Sequence, residues 1–143
     1  MPKQRKLLRT VEDTEAAFYD ALGRADVEAL MALWAEEEDI ICIHPGAPRL
    51  LGYASIRASW EAIFEHGAIV IRPIQLHAMQ NPMMAVHNVI EEIRQVDRDQ
   101  EEMHVLATNI YVKTAQGWRI VAHHASVAPG KPAIEQVSGA TLH

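Results

Sequence analysis

Apolar residues recur at helical spacing along the first third of the chain. Thr10 with Asp13 three positions on resembles a capping box, and behind it Ala17, Phe18, Ala21, Leu22 and Ala25 form one stripe. This predicts a first helix ending near Gly23 and Arg24. Asp26 is a suitable N-cap for a second helix, in which Val27, Leu30, Met31 and Trp34 follow the i, i+3, i+4, i+7 pattern of a buried face. The run Glu36, Glu37, Glu38 and Asp39 then breaks the pattern at a helix C-terminus, where the macrodipole disfavours anions, and reads as a solvated end. Ile40 to His44 is a short β-branched strand stopped by Pro45 and Gly46, and Pro48 and Gly52 bound a loop around Arg49. Ile56, Trp60, Ile63 and Phe64 mark a third helix ending at Gly67.

The second half changes period. From Ala68 to Val127 the chain reads as four long strands, separated at Gln80-Asn81-Pro82, at Asp97-Arg98-Asp99 and at Gln116-Gly117. Helices followed by antiparallel strands imply an α+β domain, with three N-terminal helices covering one face of a curved antiparallel sheet. The domain is expected over residues 11–128, after a basic lead over 1–10 and before a loosely packed tail over 129–143, where Pro and Gly stand among polar residues.

A two-residue turn at Gln116-Gly117 would set Asn109 opposite His124, Tyr111 opposite Ala122 and Ala107 opposite Ser126. A turn at Arg98-Asp99 would bring Asn88 across from Asn109, beside Ile90 and Val86. One face then carries Asn88, Asn109, Tyr111, His124 and Ser126 among Trp118, Ile120 and Ala122, a mixture that suits a ligand cavity. The other carries Leu106, Ile110, Val112, Val121, Val127, Val89 and Ile93, with His87 and His123 among them. Both faces are apolar enough to need cover. The helices cover one, and a second copy of the chain is the economical cover for the aliphatic other, so a homodimer through the outer sheet face is expected.

Composition narrows the function classes. The chain has 143 residues, 49% of them hydrophobic, which is enough for one core. Thirteen basic against nineteen acidic side chains give a net charge of −6, which argues against a nucleic-acid partner. No apolar run approaches the roughly 18 residues a membrane span needs, so a cytoplasmic protein without a membrane partner is expected. The single cysteine, Cys42, sits in Ile40-Ile41-Cys42-Ile43 and reads as a small buried hydrophobe. No Gly-rich phosphate loop and no clustered metal ligands are present, so neither a cofactor nor a metal is expected.

The segments Ala25-Asp26-Val27-Glu28-Ala29-Leu30 with Leu33-Trp34, His44-Pro45-Gly46 with Gly52 and Ile56, Thr108-Asn109, and Gly117 to Val121 with His123-His124-Ala125-Ser126 stand in an order that resembles the NTF2-like superfamily. That superfamily includes ketosteroid isomerases, SnoaL-type polyketide cyclases and the association domain of calcium/calmodulin-dependent protein kinase II, and the resemblance implies a cystatin-like α+β fold, a cone-shaped curved antiparallel sheet with the three N-terminal helices on its concave face. The likeness covers roughly residues 11 to 128 and is strongest to SnoaL-like proteins of unassigned activity. It implies a base just after the first strand, where ketosteroid isomerases have an aspartate before a proline and this chain has His44-Pro45. It implies a tyrosine eight residues before Asp26, where this chain has Phe18. The second oxyanion donor of the isomerases falls near Asn109, whose amide can donate. Steroid isomerisation by the same residues is therefore not expected.

His44 titrates close enough to neutral pH to serve as a base, and the alternative is a histidine that only holds the Pro45-Gly46 turn. His124 has Asn109 opposite to fix its tautomer, or the two form a satisfied core pair. Adjacent His123 and His124 point to opposite faces and cannot chelate one ion. Ser126 has no nucleophile elbow and reads as pocket wall. Trp34, Trp60 and Trp118 could wall a flat ligand or simply fill the core, and Arg49 could bind a carboxylate or merely face solvent. Taken together, these residues predict a small, mostly apolar or aromatic ligand in an enclosed pocket lined by Trp34, Trp60, Tyr111, Asn88, Ser126 and Arg49. The chemistry expected is that of a lyase or isomerase of a small carbonyl compound, with His44 or His124 as acid/base and Asn109 or Tyr111 as donor to an oxyanion. The other reading is a non-catalytic oligomerisation module like the kinase association domain.

Overall fold

A computed structural model describes residues 10–94 and 102–128, with the side chain of Glu102 left aside. The basic lead before Thr10, the tail from Pro129 and the turn at Asp97-Arg98-Asp99 lie outside the described residues. Helix α1 spans Val11–Arg24, and the Thr10 hydroxyl accepts from the Asp13 N–H at 3.0 Å, as its sequence predicts. It ends at Ala25, held in the left-handed region (φ 50°) by backbone bonds to Ala21 and Leu22. Helix α2, Val27–Met31, is capped by Asp26 through the Ala29 N–H, but it stops short of Trp34. The reason is a competing partner: Ile120 donates to the Leu33 carbonyl at 2.8 Å and accepts from the Ala35 N–H at 2.9 Å, so the chain leaves the helix to lie along the sheet. Trp34 stays fully buried there.

Strands β1 (Ile41–Ile43) and β2 (Leu50–Leu51) form a small hairpin before helix α3, Tyr53–Phe64. Gly52 starts that helix at φ 88°, where a Cβ would stand 3.3 Å from the Glu38 carbonyl oxygen. Four long strands follow: β3 (Val70–Gln80), β4 (Met84–Arg94), β5 (Glu102–Thr114) and β6 (Gly117–Ala128). The predicted break at Asn81-Pro82 holds, its Asn81 side chain accepting from the Met83 and Met84 N–H groups. The six-stranded sheet runs β2-β1-β6-β5-β4-β3, antiparallel except that β1 pairs parallel with β6. The fold is the α+β, cystatin-like one expected, a curved sheet that does not close, with helices on its concave side.

The register departs from expectation twice. The β5–β6 hairpin pairs Thr114 with Gly117 and so turns at Ala115-Gln116. Gly117 adopts φ 106° as the closing residue, and the Thr114 hydroxyl ties the turn by accepting from the Gln116 N–H and donating to the Gly117 carbonyl. Between Tyr111↔Ile120 and Ile110↔Ala122 strand β6 then carries one extra residue, Val121, a bulge that reverses the faces beyond it. Asn109 therefore opposes His123, not His124, and Ala107 opposes Ala125, not Ser126. Across β4–β5, Asn109 faces His87 and Asn88 faces Thr108.

The concave face accordingly carries Ala85, His87, Val89 and Glu91 of β4, Val105, Ala107, Asn109 and Tyr111 of β5, and Ile120, His123 and Ala125 of β6, all buried under the helices. Val11, Phe18, Leu22, Leu30, Ile56 and Trp60 supply the helical half of the core. Each such apolar side chain contributes about 1.5–3 kcal/mol by leaving water. His124, Ser126 and Asn88 point the other way, beside Leu106 and Ile110, so the outer face is mixed and not the uniformly aliphatic one expected.

Candidate active site

Helix α1 places Glu15 and Tyr19 one turn apart on the face that meets the sheet. Two polar residues on that face would be costly if unpaired, and each meets a partner from β4. Glu15 accepts from the Tyr111 hydroxyl at 2.6 Å and from His87 Nδ1 at 2.9 Å. Burial alone would raise the Glu15 carboxyl, but those hydrogen bonds and the attraction of His87 outweigh it and hold the group below the usual carboxylate range. Tyr19 donates to Glu91 Oε2 at 2.7 Å and accepts from Asn109 Nδ2 at 3.1 Å. Asn109 Oδ1 in turn accepts from His123 Nδ1 at 2.6 Å. Phe18 brings only a ring, yet its neighbour Tyr19 supplies the phenol.

Glu91 is the unusual member. It is 3% exposed, it has one hydrogen-bond partner among the described residues, and burial pushes its carboxyl up to about 7, with the charge of Glu15 adding to the rise. It opens onto a cavity of about 270 Å³ between α1, α3 and the sheet. Leu22, Ile63, Ile69, Ile71, Ile93 and Met103 make the apolar part of the wall. The polar part is Glu91, His123 and His44.

His44 follows β1 and rests edge-on against Trp60, with ring centroids 4.7 Å apart. Its Nε2 lies 2.9 Å from Ser59 Oγ. That hydroxyl already donates to the Ile56 carbonyl, so it must accept from His44 Nε2–H, which leaves the lone pair on Nδ1. Burial lowers the His44 pKa and keeps the ring neutral at pH 7. Cys42 Sγ lies 3.8 Å from the same ring, yet burial pushes the thiol up to about 12, so it is a core residue as expected.

The expected site residues divide three ways. His44 and Trp60 line the cavity, and Asn109 and Tyr111 stand behind its wall in the hydrogen-bonded network. His124, Asn88 and Ser126 lie on the opposite face of the sheet, where the bulge and the β4–β5 register put them; Asn88 there donates to Thr108 Oγ1. Trp34 belongs to the core below Ile120, and Arg49 is exposed in the loop before β2. Glu15, Tyr19, His87, Glu91 and His123 were not among the expected site residues. For Glu91 a signal was present in Val89-Ile90-Glu91-Glu92-Ile93, where strand alternation requires one of two adjacent carboxylates to face inward without fixing which. Among the described residues no three His, Cys, Asp or Glu side chains converge as a metal site. No helix among them is long and apolar enough to cross a membrane.

The model of the SnoaL-like domain matches residues 11–129, the whole of this architecture. The chain belongs to the SnoaL-like family. Among solved structures, this SnoaL-like chain is similar to a candidate calcium/calmodulin-dependent protein kinase type II association domain of Thiobacillus denitrificans. The identity is 33% and the TM-score 0.81, over 87% of this chain and 99% of the other. It is also similar to a candidate dehydratase of the NTF2-like family from Streptomyces avermitilis, at 28% identity and TM-score 0.76, covering 84% and 94%. A candidate ketosteroid isomerase of Parabacteroides distasonis shares the fold at 17% identity and TM-score 0.71, covering 87% and 98%. No curated protein matches this SnoaL-like chain.

Proposed function

We propose that this SnoaL-like protein binds a small, mostly apolar or aromatic carbonyl compound in the cavity and moves a proton on it, as a lyase or isomerase. The observation that carries the reading is Glu91: a carboxyl in an apolar cavity, pushed up to about 7, is divided between acid and base at neutral pH. As a carboxylate it takes the proton from a carbon next to the carbonyl, leaving the electron pair as an enolate. As a carboxylic acid it returns that proton to another carbon, or to a leaving hydroxyl. Neutral His44, with its lone pair on Nδ1, is the second proton-transfer group; His124, on the far face of the sheet, drops out of the role. Asn109 acts behind the wall by fixing Tyr19 and His123.

The reading is tested without knowing the substrate by incubating the protein with small cyclic and aromatic ketones in D2O and following loss of the α-proton signal. Exchange above the buffer rate is expected, rising through pH 7 to a plateau because abstraction needs the carboxylate. A rate flat between pH 5 and 9, or none with any ketone, rejects the assignment.

A second reading, an assembly module, draws support from the 33% identity to the candidate association domain. Leu106, 42% exposed, and half-buried Ile110 and Val112 give the outer face an apolar strip for a second copy. Sedimentation at micromolar concentration is expected to give twice 16.0 kDa, and Leu106→Lys to give the monomer. A wild-type monomer removes the dimer altogether.

A further inference from the structure

The hydrogen bonds behind the cavity wall all run in one direction. Tyr19 gives its proton to Glu91, so its oxygen must accept, and Asn109 fills it with Nδ2–H. The same amide helps hold Glu15 ionised, which requires its NH2 side to face the carboxylates. Asn109 Oδ1 is thereby turned toward His123 and takes the proton of Nδ1 at 2.6 Å. A neutral imidazole has one N–H, so the direction of the chain leaves Nε2 of His123 as a bare lone pair. His123 is 3% exposed, its Nε2 has no protein partner among the described residues, and the ring forms part of the cavity wall. Burial, with the charges of His44 and His124 adding to it, pushes its pKa down to about 3, so Nε2 does not become a donor in the neutral range. Among the described residues no Lys or Arg lines the cavity.

We propose that His123 is a specificity residue whose Nε2 accepts a hydrogen bond from the ligand, and that the ligand is therefore a small neutral molecule bearing a free hydroxyl, phenolic or alcoholic. The inference rests on the cavity being the ligand site and refines the substrate to a hydroxylated one. A ligand that offers only acceptors, an ether or an ester, would face the lone pair with its own and leave a buried acceptor unpaired. A carboxylate would meet the same lone pair and the Glu91 carboxyl with no cation to balance it. At about 270 Å³ the space suits something smaller than a drug-sized molecule.

The test compares three probes of one shape on the wild-type protein: 4-ethylphenol, its methyl ether 4-ethylanisole, and 4-ethylbenzoate. Affinity is read from tryptophan fluorescence, since Trp60 lines the cavity, and from calorimetry. The phenol is expected to bind about tenfold more tightly than the ether, the worth of one buried hydrogen bond. In the 15N spectrum the unprotonated Nε2 resonance of His123 is expected to move upfield with the phenol and to stay in place with the ether. His123→Phe should remove the preference while the ether still binds, and the spectrum of the wild type decides the matter if that variant does not fold. Equal binding of phenol and ether, tightest binding of the benzoate, or a phenol preference without movement of the His123 signal overturns the proposal and leaves the cavity a ligand site. If none of the three binds at millimolar concentration, both the proposal and the ligand site fall. Phenol binding as described without any deuterium exchange keeps the proposal and rejects the proton-transfer reading alone.

Discussion

Glu91→Gln is expected to slow proton exchange sharply and, in the same protein, to raise stability at pH 8. The amide keeps the shape of the side chain and can still accept from Tyr19, but it cannot take up or release a proton. The loss of rate should be on the order of 10²- to 10⁴-fold, the usual worth of a positioned acid/base group. The stability gain follows from linkage. An unfolded Glu91 titrates near the ordinary 4.5, whereas the folded one does so at about 7. Between those values the folded state holds a proton that the unfolded state has lost, so wild-type stability falls as the pH rises through that window. Above it the folded protein carries the full cost of an ionised carboxyl in an apolar cavity, about 3 kcal/mol at roughly 1.4 kcal/mol per tenfold change in proton affinity. Glu91→Gln should escape this cost at pH 8 and show no advantage at pH 4. Urea unfolding at the two pH values checks it, and a variant destabilised at pH 8 would mean that Glu91 is a structural anchor and not a strained proton carrier.

Glu15→Gln should do the reverse. Glu15 is the common acceptor of the Tyr111 hydroxyl and the His87 Nδ1–H, and a neutral amide there leaves part of this buried set without its anion. Breaking one side of a buried charged cluster costs about 3–5 kcal/mol. The folded pKa of Glu15 is depressed, so its contribution is fully present above the unfolded value of 4.5 and is lost as the pH falls through the lower folded value. The gap between wild type and Glu15→Gln, read by urea unfolding, should therefore be large at pH 7 and shrink below pH 4. Two carboxylates, one on α1 and one on β4, then have opposite pH slopes. Glu15 also adds to the rise of Glu91, so the pH profile of exchange in Glu15→Gln should move to lower pH. An unmoved profile in a folded Glu15→Gln protein would separate the two clusters.

The helices were legible because caps and apolar stripes are local. Thr10, Asp26 and the stripe Phe18, Ala21, Leu22 sit where periodicity puts them. The α+β class followed from the change of period near Ala68. What local pattern does not hold is pairing. Whether Gly117 occupies the centre of a turn or its closing position depends on the Thr114 hydroxyl, and the extra residue at Val121 has no turn signal of its own. The end of α2 was hidden for a related reason, since the partner that unwinds it, Ile120, lies far along the chain. The candidate site depends on these non-local facts. His44 and Trp60, fixed by short elements beside it, could be read in advance. Glu91 and His123, whose side of the sheet depends on register, could not.

The bulge at Val121 makes the identity of the cavity imidazole a matter of pairing and not of composition. In a related chain of the same length that paired without the bulge, β6 would stay in phase beyond Ile120, and the residue aligned with His124 would turn inward while that aligned with His123 faced out. Comparing side chains column by column would then match residues that do different work. A chain lacking only Val121 would, by contrast, keep the residue aligned with His123 opposite Asn109.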